Sequence, residues 1–205
     1  MAMSVKVKIC GVCTVDDARA AAAAGADFIG LNFHPASPRY VDPVRARAIA
    51  DAVAATPLVG VFVDAPRAHV EEIAALVGLA VLQFHGEEDA TYCTGWACRT
   101  IKALRARPGA DLAHRGARYR TDYLLIDSYE PGRPGGTGRP LDPAAAVGLP
   151  AGRLFVAGGL RPDTVAAVVA SLRPFAVDVA SGVEDRPGRK DHGKIEAFIR
   201  AAKAA

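Results

Sequence analysis

The chain has little cysteine, four residues in 205, with a single tryptophan and two methionines. No apolar run approaches the ~18 residues that a helical membrane span requires. Lysines interrupt the run from Val5 to Ile9, so the N-terminus has no signal-peptide pattern. These absences predict a cytoplasmic protein without a membrane partner, and in that compartment the four cysteines read as free thiols. Neither sign of charge dominates. The formal charge is only +3, from 25 basic and 22 acidic residues, which is too small to argue for a nucleic-acid partner. The pI of 8.7 mildly favours small anionic substrates. No low-complexity linker divides the chain. No Gly-x-Gly-x-x-Gly follows the first strand-like run, which counts against a dinucleotide-binding sheet.

What is present is a recurring unit, a short strand-like run followed by an Ala-rich helical run. Strands are predicted at 5–10, 27–33, 58–63, 80–84, 99–103, 122–127, 153–157 and 175–179. Their starts lie about 25 residues apart, the size of one βα unit. Helices are predicted at 15–25, 43–55, 67–77, 88–96, 142–148, 162–171 and 189–204. Asp42-Pro43 and Arg161-Pro162 read as helix starts, and Gly25 as a C-terminal cap. The connection 104–121 lacks an apolar period and reads as a loop. Its arginines, Arg105, Arg107, Arg115, Arg118 and Arg120, read as solvated. Eight strands with helical crossovers imply an all-parallel α/β sheet, either a compact closed eight-fold barrel or an open doubly wound sheet. Both place functional groups at strand C-termini.

The chemistry clusters at those ends. Side chains alternate along a strand, so Val5, Val7 and Ile9 share a face that meets the helices, and Lys8 and Cys10 point inward. A cation beside a thiol favours the thiolate, a usable base or nucleophile. A buried cysteine acting only as a small apolar filler is the simpler alternative. Cys10 and Cys13 form a Cys-x-x-Cys, which is weak evidence alone for redox chemistry or, with Cys93 and Cys98, for a metal. In the sixth strand Asp127 shares a face with Tyr123 and Leu125, as an acid or as a turn cap. Gly135-Gly136-Thr137-Gly138 follows, either a lid or a surface turn. Gly158-Gly159 and Ser181-Gly182 follow the seventh and eighth strands, where barrels bind phosphate through backbone N–H groups. Asp178 either faces the mouth or pairs with Lys8. Arg39, in the second βα loop, either suits a planar carboxylate or is only a surface charge. Gln83 and His85 flank Phe84 and both face inward.

In this order the motifs resemble the phosphoribosylanthranilate isomerase family. The resemblance runs from about Val7 to Ile199. It is carried by Lys8-Ile9-Cys10-Gly11, Ser37-Pro38-Arg39-Tyr40, Leu82-Gln83-Phe84-His85-Gly86, Asp127-Ser128, Gly135-Gly136-Thr137-Gly138, Ala157-Gly158-Gly159-Leu160, Asp178-Val179-Ala180-Ser181-Gly182-Val183-Glu184 and Pro187-Gly188-Arg189-Lys190-Asp191. It implies one (β/α)₈ TIM barrel over residues 1–205 that performs an Amadori rearrangement without cofactor or metal, as a monomer or homodimer. By this resemblance Cys10 is the general base and Asp127 the general acid. Arg39 binds the anthranilate carboxylate, and Gly158, Gly159, Ser181 and Gly182 hold the phosphate. His85, Gly136 and Asp178 complete the set expected to meet the substrate. The chain departs from the family at Cys13, where threonine or another non-thiol residue is usual, and at His34, Phe84 and Ala180. None of these removes a catalytic group. The related isomerase of histidine synthesis carries aspartates at both catalytic strand ends, and Cys10 argues against it. A catalytically silent barrel that only binds a phosphosugar is the rival of another class.

Overall fold

The computed structural model describes residues 4–128 and 143–205. Eight parallel strands close into a barrel in sequence order. They are β1 (Lys6–Cys10), β2 (Phe28–Asn32), β3 (Leu58–Phe62), β4 (Val81–Phe84), β5 (Arg99–Ala106), β6 (Tyr123–Ser128), β7 (Leu154–Val156) and β8 (Ala176–Val179). The ring is sealed by β1 against β8, where Lys8 lies opposite Asp178. The expected α/β barrel is therefore the architecture, and the open sheet is not.

Period-two alternation sorts the side chains. Val7 and Ile9 pack outward with residues of the surrounding helices, such as Ala18, Ile195 and Phe198. Phe28, Val59, Val81, Ile101, Leu125 and Phe155 fill the barrel interior. At the N-terminal end Tyr123 stacks on Phe175, with centroids 4.9 Å apart, and meets Phe155 edge-on at 5.3 Å. This aromatic plug closes the bottom, so the inward residues at the C-terminal ends face an opening on one side only. Contacts of this kind are worth about 0.5–1.5 kcal/mol each beyond their buried area.

The helices are α1 (Val15–Ala23), α2 (Pro43–Ala52), α3 (Arg67–Val77), α4 (Leu112–Ala117), α5 (Val165–Leu172) and α6 (His192–Lys203). Local chemistry starts four of them. Thr14, Asp42, Asp111 and Asp191 each accept a backbone N–H of the first turn, which satisfies a donor that the helix leaves free. Gly25 follows the last residue of the α1 cap with φ of 91°, as expected of a helix stop.

Several sequence expectations change. Residues 88–96 form turns, not a helix. Asp89 accepts the Tyr92 N–H and the Thr94 hydroxyl donates to the Thr91 carbonyl, local bonds that compete with a helix ladder. The segment instead lies against α3, with the Arg67 guanidinium 3.9 Å from the Trp96 ring centroid. The 104–121 connection is not all loop: β5 runs on to Ala106, and α4 follows the Asp111 cap. A 3₁₀ turn, Pro143–Ala146, occupies part of the predicted 142–148 helix. The helix after Pro162 begins at Val165. The last helix begins at His192, because the residues before it form an antiparallel hairpin of β9 (Glu184–Arg186) and β10 (Arg189–Lys190).

Candidate active site

The inward face predicted for Lys8 and Cys10 is the one observed. Lys8 is fully buried, and its Nζ donates to Asp178 Oδ1 at 2.9 Å. Gly30 on β2 makes room for both side chains. A Cβ at Gly30 would lie 2.9 Å from the Cys10 sulfur and 3.0 Å from Lys8 Nζ. Burial opposes the Lys8 charge, but Asp178 and Cys10 beside it raise the ammonium to about 12. Asp178 is thus the structural partner of Lys8, and it also lines the cavity below the glycine loops.

Lys8 favours the Cys10 thiolate as expected, but it does not decide the balance. Burial pushes the thiol above its ordinary value. Lys8 pulls it back, Asp178 pushes it up again, and Lys190 pulls it back. The ammonium is largely committed to a carboxylate, so its field at the sulfur is partly cancelled, and desolvation wins.

Asp127 is the penultimate residue of β6, on the inward face and opposite Arg105. His85 Nε2 lies 3.4 Å from Asp127 Oδ2. The other ring nitrogen, Nδ1, is 2.9 Å from Gln83 Nε2. With the Gln83 amide as donor, Nδ1 accepts and the proton on Nε2 points at Asp127. Gln83 Oε1 is buried and has no hydrogen-bond partner among the described residues.

Among the described residues, two adjoining clefts open at this end of the barrel. The larger, about 130 Å³, is lined by Cys10, Arg39, Gln83, His85 and Arg105 among others. The smaller, about 50 Å³, is lined by Asp127, Gly158, Gly159, Asp178, Ser181 and Gly182. Ala180 belongs to both, so the clefts adjoin. Gly158 has a φ of 90°, and a Cβ there would come within 2.6 Å of the Ser128 nitrogen, so only glycine brings this backbone to the cleft. A Cβ on Gly182 would run into the Leu160 carbonyl oxygen. Gly136 lies outside the described residues.

Arg39 is delivered by the loop after β2. Asn32 donates to the Ser37 hydroxyl at 3.1 Å, and that hydroxyl accepts the Arg39 N–H at 3.1 Å. Its side chain crosses Gly11, where a Cβ would collide with Arg39 Cδ.

Cys13 is buried, and its thiol points at the Gly11 and Arg39 carbonyls, 3.6 and 3.4 Å away. All four cysteines are free. Among the described residues no three His, Cys, Asp or Glu side chains gather as a metal site.

Three groups near this centre escaped the sequence reading. Arg105 was assigned to a solvated loop, yet it lines the larger cleft because β5 is longer than expected. Its alternation with Ile101 and Ala103 was the available signal. Glu184 and Lys190 lie on the unexpected hairpin, and only their presence in the family motifs marked them.

A profile of the N-(5′-phosphoribosyl)anthranilate (PRA) isomerase family matches residues 7–201. The chain belongs to this family. Phosphoribosylanthranilate isomerase of Pseudomonas putida is 47% identical over 207 residues, covering 98% of this chain and 99% of that one. The isomerase of Cellvibrio japonicus is 45% identical over 97% of this chain and 94% of its own length. Among solved structures, phosphoribosylanthranilate isomerase of Thermotoga maritima superposes with a TM-score of 0.90 at 36% identity, over 98% of this chain and all of that one. A phosphoribosylanthranilate isomerase in complex with reduced 1-(o-carboxyphenylamino)-1-deoxyribulose 5-phosphate gives 0.86, also at 36% identity, over 98% of this chain and all of that one. The likeness to phosphoribosylanthranilate isomerases thus spans the barrel and both clefts. No helix among the described residues is long and apolar enough to cross a membrane.

Proposed function

We propose that the chain isomerises N-(5-phosphoribosyl)anthranilate to 1-(o-carboxyphenylamino)-1-deoxyribulose 5-phosphate, a step of tryptophan biosynthesis, by general acid–base catalysis between Cys10 and Asp127. The reaction follows from membership of the family. The roles of the residues are our reading. The observation that carries it is the pairing of clefts: Cys10 and Arg39 line one, Asp127 and the glycine loops line the other, and Ala180 joins them. A ligand with a carboxylate at one end and a phosphate at the other suits that layout.

In this mechanism Asp127 delivers a proton to the furanose ring oxygen, and the ring opens to a Schiff base. The Cys10 thiolate takes the proton from C2′ and leaves an enolamine, which tautomerises to the aminoketose. The backbone around Gly158, Gly159, Ser181 and Gly182 holds the phosphate, and Arg39 holds the carboxylate. Asp178 acts chiefly by fixing Lys8 next to Cys10, and His85 steers Asp127. Gly136, outside the described residues, belongs to the run read either as a lid or as a surface turn. A positioned acid or base contributes about 10²–10⁴-fold, and the two anion clamps supply orientation. The protein works in the cytoplasm as a monomer or homodimer, without cofactor, metal, nucleic acid or membrane.

The test is the loss of fluorescence as phosphoribosylanthranilate is consumed by purified protein. Turnover abolished by Cys10→Ser supports the proposal. Tight binding of the substrate without turnover by the wild type would instead favour the silent barrel.

A further inference from the structure

The carboxylate clamp contains a carboxylate of its own. Arg39 Nε donates to Glu184 Oε1 at 2.8 Å and Nη2 donates to Oε2 at 2.7 Å, across 145 residues of sequence. The pair is well shielded, with the side chains 14% and 4% exposed. Glu184 Oε1 also accepts from Lys190 Nζ at 2.9 Å. Lys190 in turn donates to the carbonyl of Ala180 at 3.0 Å, the residue common to both clefts. The hairpin carrying Glu184 and Lys190 is anchored on the α1 side. Asp17 accepts the Lys190 N–H at 3.3 Å and meets His192 Nε2 at 2.8 Å.

This geometry has consequences for recognition. A guanidinium offers five N–H groups in one plane. Glu184 takes the edge formed by Nε and Nη2 and thereby fixes the plane and the direction of the remaining Nη1 edge. An arginine without such a partner samples many rotamers and loses side-chain entropy on binding. Charge balance points the same way. Two cations share one carboxylate, so the cluster carries +1 and a second carboxylate neutralises it.

We propose that Glu184 is a positioning residue for substrate recognition: it holds Arg39 with its Nη1 edge turned to the anthranilate carboxylate, and Lys190 holds Glu184. The proposal rests on the reading of Arg39 as the carboxylate anchor. It gives the β9–β10 hairpin a function, linking the carboxylate clamp to the phosphate loop that immediately precedes it.

The test compares wild type, Glu184→Gln, Arg39→Ala and the double variant in steady-state kinetics. It adds calorimetric binding of reduced 1-(o-carboxyphenylamino)-1-deoxyribulose 5-phosphate and of the same compound lacking its carboxylate. Glu184→Gln is expected to raise KM and the Kd of the carboxylated ligand about tenfold, the scale of one charge-assisted hydrogen bond, with kcat changed less than threefold. In the Arg39→Ala background the same substitution should change little, and the ligand without the carboxylate should bind wild type and Glu184→Gln alike. An unchanged KM in Glu184→Gln, with Arg39→Ala impaired, overturns this proposal alone. An unchanged KM in Arg39→Ala overturns the reading of Arg39 and this proposal with it. An equal loss for both ligands, or in both backgrounds, identifies a merely structural glutamate and also overturns it. If Glu184→Gln does not fold by circular dichroism, Glu184→Asp takes its place: the charge stays, the reach shortens, and the same selective loss for the carboxylated ligand is expected.

Discussion

Cys10 and Asp127 flank adjoining clefts in contrasting surroundings. The thiol lies within a lattice of buried charges: Lys8 with Asp178 below it, and Arg39, Glu184 and Lys190 beside it. The carboxyl meets the His85 ring at 3.4 Å, itself steadied by the neutral Gln83, and lies opposite Arg105 in the strand register. The difference fits the proposed roles of the two groups. A base that must become an anion inside a barrel needs cations near it, and those cations need carboxylates to be buried at all.

Removing the groups themselves breaks this comparison most severely. Cys10→Ser and Asp127→Asn are each expected to lower kcat by about 10²–10⁴-fold, with smaller changes in KM, while circular dichroism shows an intact fold. Activity near wild type in either variant would remove that residue from the mechanism.

The next largest effect separates the two sides by stability. Lys8→Met leaves Asp178 buried without its partner and should cost about 3–5 kcal/mol, read from urea unfolding. Lys8→Met combined with Asp178→Leu should recover most of that loss. His85→Gln strands no buried charge and should cost far less.

The pH profile sharpens the comparison further. Burial raises the Cys10 thiol above its ordinary value, and in the proposed mechanism the thiolate is the active form. kcat/KM should therefore rise with pH through neutrality and level off only above the ordinary thiol value of about 8.5. Glu184 supplies the acid-side check. Burial opposes its charge, but hydrogen bonds from Arg39 and Lys190 hold its carboxyl below the usual range. Its contribution to stability is complete above the unfolded value of about 4.3 and is lost as pH falls through the lower folded value. Acid unfolding of Glu184→Gln should show a correspondingly weaker pH dependence.

The smallest effect concerns Cys13. Its thiol is turned to the Gly11 and Arg39 carbonyls, so Cys13→Thr should leave turnover within about twofold, since a hydroxyl can make the same bonds. Peroxide followed by dithiothreitol should inactivate and restore both proteins alike. Protection by Cys13→Thr would reveal a Cys10–Cys13 disulfide.

Much of this protein is decided locally. Alternation along strands of four to six residues places Lys8, Cys10, Gln83, His85 and Asp127 on the inward face, because a strand buried on one side by helices has no other way to turn. Thr14, Asp42 and Asp191 start helices by bonding their own backbone, and Gly158 holds a φ of 90° that favours glycine. Where local bonding competes with periodicity, the sequence misleads. Residues 88–96 have a helical apolar spacing, yet Asp89 and Thr94 close turns instead. Barrel closure decides the rest. It sets the β1–β8 register that joins Lys8 to Asp178 over 170 residues, and it brings the hairpin carrying Glu184 and Lys190 to Arg39. It also determines the Cys10 thiol, since a lysine two residues away is visible in the sequence. The burial that outweighs it, and the carboxylate that engages it, arise only when distant strands meet and exclude water.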